Sequence, residues 1–398
     1  MKRCFALTAL LLCLTSCGGA PAAGKPVAPP PSTEQTVQDV PIEPPAEPKL
    51  PAVQTEEERL VTFLETLALE EKIGQLFFVR CPAENAAADI QTYHLGGYIL
   101  FGRDTKDKTA NDLVQAIAGY QAAAEIPLLI GVDEEGGTVV RVSSNPHLRS
   151  AKFPGPRKLW EAGPEGIAAG THEKDLLLQS LGFNVNLAPV ADVSTNASDF
   201  IYARTTGEDA QTAAAYVDCV VKTMSADNLG SVLKHFPGYG NNVDTHTGIA
   251  VDMRPLETFT AGDFLPFQSG IAAGGGKTAV LVSHNIVNCM DAQLPASLSP
   301  AVHKVLRENL KFDGVVMTDD LAMDAVAAYA KDGAVSVLAV QAGNDLIITT
   351  DYRTQIPKVV QAVKSGELAE STIDEACLRV LRWKQNLGLL KLATGPLH

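Results

Sequence analysis

The apolar residues of this chain fall into short runs separated by longer stretches with helical spacing. Runs at residues 74–79, 98–101, 128–132, 185–190, 231–233, 279–282, 314–317 and 345–348 are mostly short and aliphatic or β-branched. Such runs predict parallel strands buried on both faces. Between them lie helical stretches such as 111–124, 209–227 and 300–309, and Ser299-Pro300 is a good helix start. Thr55 with Glu58 makes a capping-box pattern ahead of Leu60, Phe63, Leu64 and Leu67, which recur at helical intervals. A last helix is expected over 372–387, with Gly388 as its stop.

Eight strand units over roughly 320 residues, about 40 residues each, suit an α/β fold of the TIM (β/α)8-barrel type, as one catalytic domain. A doubly wound dinucleotide sheet is the alternative, but no G-x-G-x-x-G follows the first strands.

The first 54 residues break this pattern. Lys2 and Arg3 precede a short apolar stretch from Phe5 to Leu14, too short to span a bilayer, so residues 1–16 read as a signal peptide. Leu14-Thr15-Ser16-Cys17 resembles a bacterial lipobox. Lipidation at Cys17 is therefore expected, with the protein exported and anchored to a bacterial membrane. Residues 17–54, with Pro29-Pro30-Pro31 and Pro44-Pro45, read as a disordered, extended tether. The folded domain is expected over 55–398.

Composition narrows the function. A hydrophobic fraction of 46% and a charged fraction of 20% are those of a globular protein. The net charge of -14 repels nucleic acid at long range, so nucleic acid is set aside as a partner. Cys81, Cys219, Cys289 and Cys377 have no metal-knuckle or redox spacing and are expected to be buried free thiols.

Polar residues stand at the C-terminal tips of several predicted strands. They are Asp133-Glu134-Glu135, Asp192, Lys234-His235, Ser283-His284 and Asp319-Asp320. A barrel enzyme builds its active site on that face. Asp319 or Asp320 can attack an anomeric carbon, while the other caps a helix over 321–330. Lys234 and His235 can hydrogen-bond sugar hydroxyls. Pro237 and Gly238 then turn the chain. In Asp244-Thr245-His246 the Asp can fix the tautomer of a His that shuttles a proton. Gly136-Gly137 would let the backbone approach a ligand closely, and Arg141 and Arg204 could reach hydroxyl or acyl oxygens. No His-x-x-x-His accompanies the Asp-x-His loop, and neither metal nor cofactor is expected.

Taken together, the segments Val132-Asp133-Glu134-Glu135-Gly136-Gly137, Leu187-Ala188-Pro189-Val190-Ala191-Asp192-Val193 and Lys234-His235-Phe236-Pro237-Gly238 resemble family 3 glycoside hydrolases of the β-N-acetylhexosaminidase branch. So do Asp244-Thr245-His246, the segment from Phe312 through Asp319-Asp320 to Met323, and Ala342-Gly343-Asn344-Asp345-Leu346. The resemblance implies a retaining mechanism with Asp319 as nucleophile, His246 as acid/base and Asp244 orienting it. It implies that Asp133, Arg141, Arg204, Lys234 and His235 hold the sugar. The substrate implied is a carbohydrate with a terminal β-GlcNAc, from peptidoglycan fragments or related glycans. The chain ends soon after the barrel, so the loop His is expected to supply the acid in a single-domain, monomeric enzyme. Tyr239, Asn241, Thr245, Thr138 and Thr205-Thr206 depart from the family pattern, which bears on the leaving-group side. A phosphorylase, a β-glucosidase on the same fold, and a glycan-binding lipoprotein without turnover are the alternatives.

Overall fold

Seven parallel strands form one curled sheet: β1 (Phe78–Arg80), β2 (Gly97–Leu100), β3 (Leu129–Val132), β4 (Val185–Asn186), β5 (Gly230–Phe236), β7 (Thr278–Val282) and β9 (Val316–Thr318), hydrogen-bonded in that order. Two short strands, β6 (Val251–Asp252) and β8 (Ile286–Val287), pair in parallel as a separate ribbon. The computed structural model describes residues 54–242, 250–323, 326, 329 and 334–393. The leader 1–16, Cys17, the tether to residue 53, and the catalytic candidates Asp244 and His246 lie outside the described residues, as does most of the helix expected over 321–330.

The eighth expected strand takes a reduced form. Leu346 bridges to Met317 of β9, and Ile347 bridges to Phe77 just before β1. The N–H of Ile347 donates to the Leu76 carbonyl at 2.7 Å, and Phe78 donates back to Ile347 at 3.0 Å. Residues 346–347 thus touch both ends of the seven-stranded sheet, through single bridges instead of a ladder.

Side-chain alternation explains why the strands are apolar throughout. Phe78, Ile99, Leu129, Val232, Leu281 and Met317 point to one face and pack together in their own cluster, joined by Val380 and Trp383 of the last helix and Leu387 just past its end. Their neighbours Val79, Tyr98, Ile130, Leu233, Val280 and Val316 point the other way, into the main core shared with the helices. A strand buried on both faces shows no polar alternation.

Local signals held closely at the helix starts. The Thr55 hydroxyl accepts from Glu58 N–H while the Glu58 carboxylate accepts from Thr55 N–H, a complete capping box on the helix Glu56–Thr66. Ser299 caps Pro300–Lys304, which runs on as a π turn over Val305–Asn309. The other expected helices form as Ala110–Ala123, Ala210–Ala226 and Glu370–Asn386.

Three expectations need correction. Gly74 is not in a strand; it ends the buried helix Leu69–Gln75, where a Cβ would lie 2.2 Å from the Tyr93 carbonyl. Strand one therefore starts later and ends on Arg80. The fourth strand is only Val185–Asn186, with Val190 returning to the sheet as a bridge to Lys234 beyond the cis Ala188-Pro189 bond. The four cysteines are unpaired, but only Cys81 and Cys377 are buried; Cys289 is exposed. Among the described residues, no helix is long and apolar enough to cross a membrane.

Candidate active site

The C-terminal ends of the parallel strands surround a cavity of about 620 Å³. Its floor is apolar, built from Ile99, Leu187, Leu281 and Ile348, side chains on the inner face of the curl. Its walls carry Asp133, Arg141, Arg204, Lys234, His235 and Asp319, so the structure gathers these six sequence candidates around one space.

The acids after β3 divide their labour. Glu134 is fully buried and folds the following loop: its carboxylate accepts the backbone N–H groups of Arg141 and Val142, both at 2.7 Å, and of Ser143 at 3.2 Å. This places Arg141 at the cavity wall. Asp133 accepts from Lys234 Nζ at 2.6 Å. Glu135 takes both the other side of Lys234, at 2.7 Å, and the Arg204 guanidinium, through Nε at 3.0 Å and Nη2 at 2.7 Å. Lys234 and Glu135 are each only 3% exposed, so these are buried charge pairs. Burial opposes ionisation of Glu135, but the adjacent Lys234 and Arg204 charges outweigh it and hold the carboxyl well below its usual range. Lys234 likewise stays charged: its two carboxylate partners raise its pKa against the pull of burial.

The glycines after β3 let the backbone pass close to this chain's own 153–155 segment. Gly136 and Gly137 adopt φ of 97° and 65°, and a Cβ on Gly136 would meet the Pro154 carbonyl at 2.2 Å. The close approach they permit is to this chain's own segment at Phe153, Pro154 and Gly155.

At β5, His235 is gripped by Asp192, whose Oδ2 lies 2.7 Å from Nδ1. The other ring nitrogen, Nε2, lies 3.2 Å from Arg204 Nη2. A guanidinium can only donate, so Nε2 is the acceptor and Nδ1 carries the hydrogen. Both ring nitrogens are thus engaged by the protein. The Lys234–His235 peptide is cis.

Asp319 follows β9, with its N–H donating to the Val282 carbonyl of β7 and its Oδ1 accepting from Asp320 N–H at 2.8 Å. Burial raises its pKa, but His284, His235, the Asp320 N–H and Lys234 more than offset this and hold the carboxyl below its usual value. Asp320 behaves oppositely: burial and the Asp319 charge raise its pKa, although the Ala322 N–H it accepts at 3.0 Å partly compensates. The two adjacent acids are thus distinguishable in space. Asp319 is the readily ionised one.

The described residues on either side of 243–249 are held in place. Asn242 Nδ2 donates to the Tyr239 carbonyl and to Asp252 Oδ2, each at 2.8 Å. Past the loop, the Ala250 carbonyl accepts from Ile286 N–H at 2.8 Å, beside the β6–β8 ribbon. Arg254 ties this region together by donating to Asp252, Asp263 and the Gly238 carbonyl. Gly238 has φ of 128°, the turn expected after Lys234-His235-Phe236-Pro237.

The model of the glycosyl hydrolase family 3 N-terminal domain matches residues 68–383. The chain belongs to glycosyl hydrolase family 3. Beta-hexosaminidase LpqI of Mycobacterium tuberculosis is 31% identical to it over 333 residues, 80% of this chain and 83% of that protein. A beta-hexosaminidase of Xylella fastidiosa is 33% identical over 246 residues, 60% of this chain and 70% of the relative. Among solved structures, a family 3 β-N-acetylglucosaminidase from a Paenibacillus species superposes with a TM-score of 0.76 at 30% identity. That match covers 84% of this chain and 65% of the longer neighbour. The solved M. tuberculosis LpqI superposes with a TM-score of 0.72 at 29% identity, over 81% of this chain and 95% of that one.

Several residues of this family 3 glycoside hydrolase escaped sequence reasoning as site members. Glu135 and Asp192 stood in the right motifs but carried no sign of their partners. Arg80 was hidden by a strand boundary set one residue short, since only a strand ending on Arg80 puts it on the active face. His284 stood at a predicted strand tip without a sign that it acts on Asp319, and Arg254 gave no local signal. Away from the cavity, Glu71, His94 and Glu125 are the one group among the described residues whose ligand atoms approach one another within 4.8 Å as a metal set would.

Proposed function

We propose that this glycoside hydrolase is a retaining exo-β-N-acetylhexosaminidase that releases terminal β-GlcNAc from peptidoglycan fragments or related glycans. The observation that carries this reading is Asp319. It is a carboxyl held ionised at a strand end, lining the same cavity as the Asp133–Lys234–Glu135–Arg204 network. That network presents fixed charged donors and acceptors of the kind that bind sugar hydroxyls. An anionic carboxylate beside such a cradle is placed to attack an anomeric carbon. The names carried by the relatives agree with the sugar assigned.

In this reading Asp319 displaces the leaving group and forms a covalent glycosyl-enzyme. His246, oriented by Asp244, protonates the departing oxygen and then deprotonates the water that releases the sugar with retained configuration. Asp133, Arg141, Arg204 and Lys234 hold the sugar, and His235 positions Arg204. The fold is a (β/α)8 barrel in which residues 346–348 stand as the eighth strand, and the enzyme acts as a monomer. Cys17 carries a lipid that anchors the exported protein to a bacterial membrane.

The test is chromophore release from an aryl β-GlcNAc, comparing wild type with Asp319→Ala and reading the first-formed anomer by NMR. Retained configuration and loss of turnover in the variant are expected. Full activity of Asp319→Ala, or an inverted product, sinks the mechanism.

A further inference from the structure

Two of the four lysine and arginine side chains lining the cavity are already committed to the protein. Arg204 is bound to Glu135, and Lys234 is shared between Asp133 and Glu135. Arg80, at the end of β1, is not. Its guanidinium lines the cavity and lies over the Phe101 ring at 4.3 Å, yet it donates to no described residue, and its Nε is buried without a partner. A guanidinium has five donors and no acceptor, and buried donors in native proteins are nearly always matched. An acceptor is therefore due at this place, and the cavity is where it would come from.

The position narrows what that acceptor is. β1 is joined to β9 through residues 346–347, so Arg80 stands on the nucleophile's side of the cavity, away from the paired wall formed after β3 and β5. Its charge is felt by Asp320, the residue next to Asp319. The carbon bonded to the anomeric carbon is C2, so the C2 substituent lies nearest the nucleophile. The Phe101 ring packs against the Arg80 guanidinium, and Met323 and Ile348 add apolar surface to the same cavity, beside the Asp320 carboxyl. A strong donor set among apolar surfaces matches a group with one carbonyl oxygen and one methyl. A bare hydroxyl would leave the apolar surface unused. Arg141 also lacks a side-chain partner among the described residues, but it stands on the loop after β3, and nothing couples it to the nucleophile's strand.

We propose that Arg80 selects 2-acetamido sugars in this site, its guanidinium donating to the acetamide carbonyl while Phe101, Met323 and Ile348 receive the methyl group. This rests on the hexosaminidase reading above and adds to it the residue that makes the choice of sugar. Arg80 is a specificity residue that touches the substrate, with no part in proton transfer or attack.

The experiment measures kcat and KM for 4-nitrophenyl β-GlcNAc and 4-nitrophenyl β-glucoside with wild type, Arg80→Met and Arg80→Lys. The readout is the ratio of kcat/KM between the two sugars, from which a general loss of folded enzyme cancels. In Arg80→Met the preference for GlcNAc is expected to fall about tenfold or more, mainly through KM for GlcNAc, because a site built around one hydrogen bond loses discrimination with it. Arg80→Lys should recover part of the ratio. An unchanged ratio in Arg80→Met, whether both rates hold or both fall together, overturns this inference and leaves the hexosaminidase reading standing. A wild type that cleaves neither sugar, or prefers the glucoside, overturns both.

Discussion

Asp192 holds His235 through two contacts: its Oδ2 lies 2.7 Å from the ring Nδ1 and 3.2 Å from the backbone N–H. The ring then has a lone pair at Nε2 for Arg204. In Asp192→Asn the amide can donate to Nδ1 and so stabilise the tautomer with hydrogen on Nε2, which would point a donor at a donor. Arg204 should lose its orientation. We expect kcat/KM on an aryl β-GlcNAc to fall on the order of 10²-fold, as when the group that fixes a histidine tautomer is removed. Unchanged kinetics with an unchanged circular dichroism spectrum would remove Asp192 from the site.

His246 is assigned the proton transfer, so its loss should depend on the leaving group. His246→Ala is expected to slow cleavage of a poor leaving group such as a second sugar by about 10²–10⁴-fold, the usual contribution of general acid–base catalysis. Glycosylation with a 2,4-dinitrophenyl leaving group needs no acid and should be much less affected. Equal losses on both substrates in pre-steady-state measurements would argue against the role.

Glu135 neutralises two cations in a nearly dry setting. Removing one partner of a buried pair leaves uncompensated charge, so Glu135→Ala should destabilise the fold by about 3–5 kcal/mol in urea unfolding. The sign with pH follows from the depressed carboxyl. Its stabilisation is present above the ordinary value of 4.5 and is lost as pH falls below it toward the folded-state value. The wild type should therefore lose stability in acid more steeply than the variant. Parallel curves would contradict the pairing.

Lys384 is fully buried in the last helix and donates to Gln75 Oε1 at 2.6 Å. Burial pushes its pKa down to about 7, far below 10.5. Between these values the unfolded chain binds a proton that the folded chain does not, so stability rises with pH. Urea midpoints should increase from pH 7 to pH 9 in the wild type, and Lys384→Met should flatten that rise. A rise of the same size in the variant would exclude Lys384 as its source.

Much of this molecule was legible in its pattern. The strands at 98–101, 128–132, 231–233 and 279–282 form nearly where the apolar runs place them, because residues buried on both faces must be apolar. The caps at Thr55 and Ser299 formed because a cap is satisfied within three residues of itself. The limits lay where distant packing overrode local preference. Gly74 joined a helix because its backbone packs against Tyr93 and His94, and strand one consequently ended on Arg80.

The site divides along the same line. Sequence alone determined which residue types stand at the strand tips, since motif and strand position are local properties: Asp133, Lys234, His235 and Asp319 could be named from it. Only the tertiary structure decided what each does. Glu135 meets Arg204 across 69 positions and Lys234 meets Asp133 across 101. It set Gly136 and Gly137 against Pro154 and Gly155, separated Asp319 from Asp320 by their surroundings, and left Arg80 in the cavity with no described acceptor. Charge pairing, burial and the direction of a donor depend on neighbours brought together by folding, and a linear chain does not specify those distances.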